Sequence, residues 1–406
     1  MNAYYHHRNT PRGRHFSRSR PHGRPLHPAG HKRRGGHRGE FIDASRFINK
    51  GSDAADIAEV APTHAFADFA IDERIKRNIA AKGYEIPTPI QDAAIPHILQ
   101  GRDIVGIANT GTGKTGAFLI PLLDKVVKDR SARILIMVPT RELAVQIEQE
   151  YKGFSQGSGL RSVCVVGGAN INTQIRAMRE NPYFVIGTPG RLKDLLARRA
   201  LDLSRFSTVV LDEADRMLDM GFINDMRFLL SHMPVRRHTL FFSATIGPEI
   251  EKLVGDFLTN PVRVSVKLRD TAKDVAQDVV RVAPGESKLK QLQVLLSQPE
   301  FRKVLVFGRT KHGVERLAKL LQKSGFQAES IHGNKTHSHR QRALLRFKSE
   351  QVSILVATDV AARGLDIPKV SHVINYDVPN TYDDYVHRIG RTGRAGERGQ
   401  ALTFIE

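Results

Sequence analysis

Two short stretches of this chain carry residue types and spacings suited to handling phosphate. The first is Ala108-Asn109-Thr110-Gly111-Thr112-Gly113-Lys114-Thr115, which follows the apolar run Ile104-Val105-Gly106-Ile107 and leads into an apolar helical stretch. Small residues in a strand–loop–helix turn let backbone N–H groups reach phosphate oxygens, and the helix N-terminus adds its dipole. Lys114 supplies charge to β and γ phosphates, and the Thr115 hydroxyl can ligate Mg²⁺. Ala108 stands where the strict pattern has its first glycine. The second stretch, Asp212-Glu213-Ala214-Asp215, comes directly after the β-branched run Thr208-Val209-Val210-Leu211. A carboxylate at the C-terminal end of a strand faces the phosphate site of an open α/β sheet. Asp212 is therefore the expected Mg²⁺ partner, and Glu213 the group that orients or deprotonates the attacking water.

These groups need a sheet to hold them, and the pattern supplies one. From about residue 64, short β-branched runs such as Ile134-Leu135-Ile136-Met137-Val138 and Leu240-Phe241-Phe242 alternate with longer helical stretches. Near residues 267–274 the sequence turns polar and charged, and alternation then resumes with Val304-Leu305-Val306-Phe307, Ile354-Leu355-Val356-Ala357 and Val373-Ile374-Asn375-Tyr376. Alternation of this kind predicts parallel, doubly wound sheets. The expected organisation is α/β, with domains at 64–266 and 275–406 joined by a linker at 267–274. The chain stops at Leu402-Thr403-Phe404-Ile405-Glu406, which reads as a strand.

Composition narrows the class. Among 406 residues, 62 Lys and Arg face 42 Asp and Glu, a formal charge of +20 that suits a polyanionic partner. The single cysteine, Cys164, excludes an intrachain disulfide and a cysteine zinc site, and its apolar run marks it as a core residue. With no apolar signal region and no run of membrane-span length, no membrane association is expected and the cytoplasm is the expected location. Residues 1–40 hold nine Arg and one Lys against the single acid Glu40, with seven His, so this segment carries +9 of the +20. Such a segment is expected to be disordered, and its Arg-Gly clusters suit loose RNA binding. Residues 41–50 form an apolar island within a 41–63 connector, expected to dock on the folded core or on a partner.

Further motifs give the pattern a family. Gly83-Tyr84-Glu85-Ile86-Pro87-Thr88-Pro89-Ile90-Gln91, Ser243-Ala244-Thr245 and His387-Arg388-Ile389-Gly390-Arg391-Thr392-Gly393-Arg394 accompany the two phosphate-handling stretches. Over about residues 64–406 the chain resembles the DEAD-box RNA helicases of superfamily two. The resemblance implies two RecA-like domains that close on ATP, Mg²⁺ and single-stranded RNA. ATP would meet Phe66, Tyr84 and Gln91 through its adenine. The loop Thr110, Gly111, Thr112, Gly113, Lys114 and Thr115, with Asp212, would take its phosphates and Mg²⁺. Gly364, Asp366, Arg391 and Arg394 would come from the second domain, with Lys114, Glu213, Arg391 and Arg394 catalytic. Asp215, Ser243, Thr245 and His387 would couple hydrolysis to strand separation.

RNA contacts implied by the resemblance are Pro139, Thr140, Arg141, Gly167, Gly168, Thr188, Pro189, Gly190 and Arg191 in the first domain. In the second they are Arg309, His332, Gly333, Arg340 and Thr358. Contacts of this kind read backbone and 2′-hydroxyls, so binding should be largely independent of sequence. His337 stands where the family often has Gln, and the given sequence ends before the helix that usually follows the family's last strand. The expected partners are RNA and ribosome-assembly or RNA-decay machinery, with the chain itself a monomer. Two alternatives remain at this point: a double-stranded DNA translocase, against which Gln91 and the Asp212–Asp215 tetrapeptide speak, and an RNA clamp or annealing chaperone. Deleting residues 1–40 is expected to weaken RNA binding. It should also flatten the log–log salt dependence by about 0.7 for each phosphate that the segment neutralises. Titrations at several salt concentrations measure this, and an unchanged slope would leave the segment only solvated.

Overall fold

The computed structural model describes residues 43–49, 62–109, 111–266, 275–362, 367, 369–393 and 399–405. The expectations placed on residues 1–40, on linker 267–274 and on Thr110, Gly364, Asp366 and Arg394 lie outside the described residues.

Seven strands form the first sheet: β1 Ile104–Ile107, β2 Ile134–Met137, β3 Ser162–Val165, β4 Phe184–Gly187, β5 Thr208–Leu211, β6 His238–Ser243 and β7 Val262–Ser265. Their order is β3-β4-β2-β5-β6-β1-β7, every pairing parallel. Six more strands form the second: β8 Val275–Arg281, β9 Val304–Phe307, β10 Ala328–Ile331, β11 Ile354–Ala357, β12 His372–Asn375 and β13 Gly399–Ile405. Their order is β10-β11-β9-β12-β13-β8, again parallel throughout. Two tandem doubly wound sheets are the RecA-like architecture that the alternation and the resemblance implied.

Strand periodicity explains why helices cover both faces. Along β2, Ile134 and Ile136 pack into one apolar layer while Leu135 and Met137 pack into the other. Along β9, Val304 and Val306 face one layer and Leu305 and Phe307 the opposite one. A strand buried on both faces reads as a continuous apolar run, as these do. Helix starts are written locally: Thr140 Oγ1 accepts from Leu143 N at 3.3 Å, and Thr381 Oγ1 from Asp384 N at 3.1 Å. Cys164 sits half-buried in β3 with its thiol pushed up to about 12 by burial, as suits a core residue.

Residues 43–49 of the island dock on the second domain. Residues 44–47 form a 3₁₀ turn that buries Phe47 among Val275 and Tyr385, and Asn49 bridges antiparallel to Gln277 of β8. Of the two expectations for this island, docking on the folded core is the one the chain adopts.

At the start of β1, the buried carboxylate of Asp103 accepts from Thr239 N and Thr259 N, both at 2.8 Å. It thereby ties β6 and the approach to β7 to β1, the strand that carries the phosphate loop. Asp103→Ala would leave two backbone amides without their charged acceptor, at a cost on the order of 3 kcal/mol. Urea unfolding of the variant measures this loss, expected with little change in slope.

Candidate functional site

The phosphate loop leaves β1 and enters the helix Lys114–Lys128 through Gly111 and Gly113, whose φ values of +92° and +93° favour glycine. A Cβ at position 113 would lie 2.7 Å from Gln91 Nε2. Gln91 is buried: its Oε1 accepts from Thr88 N at 2.9 Å and its Nε2 donates to Gly113 O at 3.0 Å. The amide expected to read adenine thus also braces the loop against the helix Pro89–Leu99. Thr88-Pro89-Ile90-Gln91 has capping-box spacing, the sequence signal for this second role. Phe66 is a core residue, and Tyr84 stacks on it at 6.4 Å while packing edge-on to Phe154. Lys114 is buried and donates to Ala108 O at 2.8 Å, so its ammonium lies within the curl of the loop.

Beyond β5 come three buried acids. Asp212 Oδ1 accepts from Glu213 N at 3.0 Å. Glu213 takes a left-handed conformation, φ +51° and ψ +50°, sparsely populated outside glycine. Its Oε2 lies 3.5 Å from Nε of the buried Arg216. Burial pushes the Asp212 carboxyl up to about 6, against the opposing pull of Lys114 and with a further push from Glu213 and Asp215. Lys114 and Arg216 are the cations set closest against these carboxylates in the first domain. Buried and dehydrated, Asp212 has the chemistry of a carboxylate ligand for a divalent cation. Mg²⁺ characteristically takes one or two protein ligands and completes its shell with phosphates and water.

Asp215 joins this corner to the rest of the molecule. Its Oδ2 accepts from Ala244 N and Thr245 N at 3.1 Å and from Thr245 Oγ1 at 3.2 Å, while Oδ1 accepts from Arg216 N. Burial raises its pKa, but Arg216, Lys114 and His387 together outweigh it and hold the group below the usual carboxylate range. Of the two hydroxyls expected to link Asp215 onward, only that of Thr245 reaches it; Ser243 Oγ donates to Thr245 O at 2.8 Å. His387 lies on the helix Tyr382–Ile389 of the second domain. Arg388, on the same helix, is buried and clamped, with Nη2 donating to Asp359 Oδ2 at 2.7 Å and Nη1 to Asp377 O at 2.6 Å. Arg391, also buried, lines a small cleft with His387, Asp359 and Phe307.

A basic face runs alongside. The Arg141 guanidinium lies over Gly167 and Gly168, where an added Cβ at either position would meet it at 2.9 Å or less. Arg191 Nη1 donates to Ala169 O and Gln174 Oε1, each at 3.1 Å, and burial lowers its pKa. Two guanidiniums thus converge on residues 167–169, of which Gly168 is exposed. Thr140 and Thr188 are buried at the starts of the helices Arg141–Phe154 and Pro189–Ala197. Pro189 is buried as well, and Gly190 beside it is exposed. Gly333 and Arg309 are exposed, and Arg309 N donates to Asp377 Oδ2 at 2.7 Å. Thr358, half-buried, follows β11 with its N donating to Ile331 O at 3.3 Å.

Two expected RNA residues are engaged within the protein. His332 is buried against Glu315 at 3.1 Å. Arg340 Nη2 meets Glu142 Oε2 of the first domain at 2.6 Å, both side chains nearly buried. Glu142 was legible only as part of Pro139-Thr140-Arg141-Glu142-Leu143; its partner lies 198 positions away. His337, at the start of the helix His337–Lys348, is half-buried beside Glu142, Arg141 and Arg340.

Taken together, two RecA-like sheets, a phosphate loop, an acidic corner and an arginine-bearing helix define a two-domain nucleoside triphosphatase. The chain belongs to the DEAD-box family of ATP-dependent RNA helicases. Family models described as DEAD/DEAH box helicase and helicase conserved C-terminal domain match residues 88–253 and 287–396. It is 45% identical over 343 residues to the ATP-dependent RNA helicase CshA of Listeria monocytogenes, covering 84% of this chain and 66% of that protein. It therefore spans just under two thirds of that relative's length. Its fold matches S. cerevisiae Dbp5 bound to RNA and ADP BeF3, with a TM-score of 0.76 and 29% identity over 84% of this chain and 89% of that one. The DEAD-box helicase Mss116 bound to ssRNA and UDP-BeF matches with a TM-score of 0.76 and 30% identity, covering 84% and 74%.

Asp212 offers a test free of ligand. Its folded-state pKa, raised to about 6, means that the folded state holds its proton more tightly than the unfolded state does. Ionisation of this group therefore lowers stability as pH rises from about 4 to about 6, and the loss persists above that window. Asp212→Asn is expected to stabilise the nucleotide-free protein by on the order of 2–3 kcal/mol at pH 7. At pH 4 the gain should vanish. Urea denaturation at the two pH values reads the difference, and equal shifts at both would refute the buried-charge account.

Proposed function

We propose that this chain uses ATP binding and hydrolysis to clamp single-stranded RNA between its two domains, taken as 64–266 and 275–406, and so to part short duplexes locally. The observation that carries the reading is the position of Asp215. It is hydrogen-bonded to Thr245 of its own domain and lies in the field of His387 of the other, so one carboxylate senses both.

In this reading Gln91 pairs with adenine and braces the loop, and Lys114 leaves Ala108 O to neutralise the β and γ phosphates. Asp212 and Thr115 would hold a Mg²⁺ ion, which would supply positive charge to the same phosphates. Glu213, held in its strained conformation, orients the attacking water and takes its proton. Arg391 and Arg394 come from the second domain to the charge that grows in the transition state, where a planar guanidinium is well matched. Arg340 and Glu142 hold the domains together beside the RNA face, where Arg141, Arg191 and the glycines at 167–168 bind the sugar–phosphate backbone. Because ATP and RNA both favour the closed form, each raises the other's affinity. No helix among the described residues is long and apolar enough to cross a membrane. The reading places the chain at work as a monomer in the cytoplasm, with ribosome-assembly or RNA-decay complexes as its partners.

RNA-stimulated ATP turnover, measured beside unwinding of a blunt and an overhang duplex, tests the reading as a whole. Duplex annealing without unwinding would instead mark an RNA chaperone. Within that assay three variants should separate. Arg391→Ala should slow single-turnover hydrolysis by roughly 10³–10⁵ with ATP binding largely kept. Glu213→Gln should hydrolyse poorly yet hold RNA for longer in the presence of ATP, and Lys114→Ala should lose ATP affinity itself. Hydrolysis by Arg391→Ala at the full rate would mean that the second domain does not complete the site.

A further inference from the structure

The segment at residues 43–49 precedes the first domain in sequence, yet it packs on the second. Its backbone pairs with the open edge of the second sheet: Asn49 N donates to Gln277 O at 2.9 Å and Gln277 N to Asn49 O at 2.7 Å. Edge strands are commonly covered in this manner. Phe47, 1% exposed, meets Tyr385 edge-on with ring centroids 4.7 Å apart. Arg46 lies over the Tyr382 ring, 3.7 Å from its centre. Tyr385 Oη in turn donates to Gln277 Oε1 at 2.7 Å, so strand, segment and helix form one connected unit.

Tyr382 and Tyr385 belong to the helix Tyr382–Ile389, the one that carries His387 and leads directly to Arg391. That helix is gripped at both ends. Arg388 anchors its C-terminal end to Asp359, and the N-terminal end rests on Arg46 and Phe47. A buried aromatic under one end of a short helix sets its tilt, and with it the reach of groups at the other end.

We propose that residues 43–49 are a positioning segment for the arginine helix, with Phe47 and Arg46 setting the orientation in which His387 and Arg391 meet the first domain's nucleotide corner. A part of the chain lying before one domain thus completes the other. The proposal rests on the role given to Arg391 above.

The test compares the chain lacking residues 1–42 with the chain lacking 1–49, and full-length Phe47→Ala with Phe47→Leu. Turnover at saturating ATP and RNA is read beside nucleotide binding without RNA and hydrogen exchange at the Gln277 amide. Removal of the segment, or Phe47→Ala, is expected to lower kcat by on the order of 10–10²-fold, the scale of a slight misplacement of a catalytic group. Nucleotide affinity of the first domain should stay within about twofold, so the defect falls on kcat rather than on binding. Phe47→Leu should recover most of the activity, and a synthetic peptide of residues 41–50 at about mM concentration should restore turnover to the 1–49 deletion. If Phe47→Ala does not fold, Arg46→Ala replaces it, with a smaller drop expected in the same parameter.

Faster Gln277 exchange on deletion with kcat unchanged would overturn the positioning role while leaving the docking. Unchanged Gln277 exchange would overturn the docking itself. A full-length chain without RNA-stimulated turnover would overturn the function assigned to the site, and this proposal with it. Protection at Gln277 would tell that failure apart from a failure of docking.

Discussion

Asp212, Glu213 and Asp215 are buried together at the C-terminal edge of β5, with Lys114 and Arg216 as their cationic partners. A dehydrated carboxylate is costly unless it is paired. The surrounding structure answers that cost piece by piece. Peptide N–H groups of Glu213, Arg216, Ala244 and Thr245 donate to Asp212 and Asp215, and the ammonium of Lys114 is held in the facing loop. What is left over is the desolvation of Asp212, which raises its carboxyl to about 6.

The same corner explains why two domains are needed. Asp215 uses one oxygen for its own helix and the other for Ala244 and Thr245, so a shift at the carboxylate is felt in the loop after β6. His387, on the helix Tyr382–Ile389 of the second domain, acts with Arg216 and Lys114 to hold the Asp215 pKa down. Arg340 and Glu142 form a second cross-domain tie at the edge of the basic face, nearly free of water. An ion pair shielded in this way is sensitive to the removal of either partner, because the survivor is left buried and unpaired.

The second domain has its own support. Arg388 is buried in a cage made by Asp359, Asn375 and the Asp377 carbonyl, while Phe47 and Arg46 back the far end of the same helix. Such a frame fixes the orientation of the helix by packing rather than leaving it to be found anew.

Much of this was legible in the residues themselves. The phosphate loop, the acid tetrapeptide and the arginine motif are local strings whose chemistry follows from residue type and spacing, and strand alternation alone implied two doubly wound sheets. What could not be read was who meets whom across long separations. Gln91 reads as a base contact, yet it also braces Gly113; Arg340 reads as an RNA contact, yet it pairs with Glu142; Ser243 reads as a link to Asp215, yet it turns back on Thr245. The apolar island at 41–50 could be seen as sticky but not as belonging to β8, because an apolar surface names no particular partner. Residue type and short spacing determine local chemistry, since backbone geometry over a few residues is nearly fixed. Pairings between distant residues depend on how sheets and helices pack, and on which buried charges then find each other, so only the tertiary structure decides them.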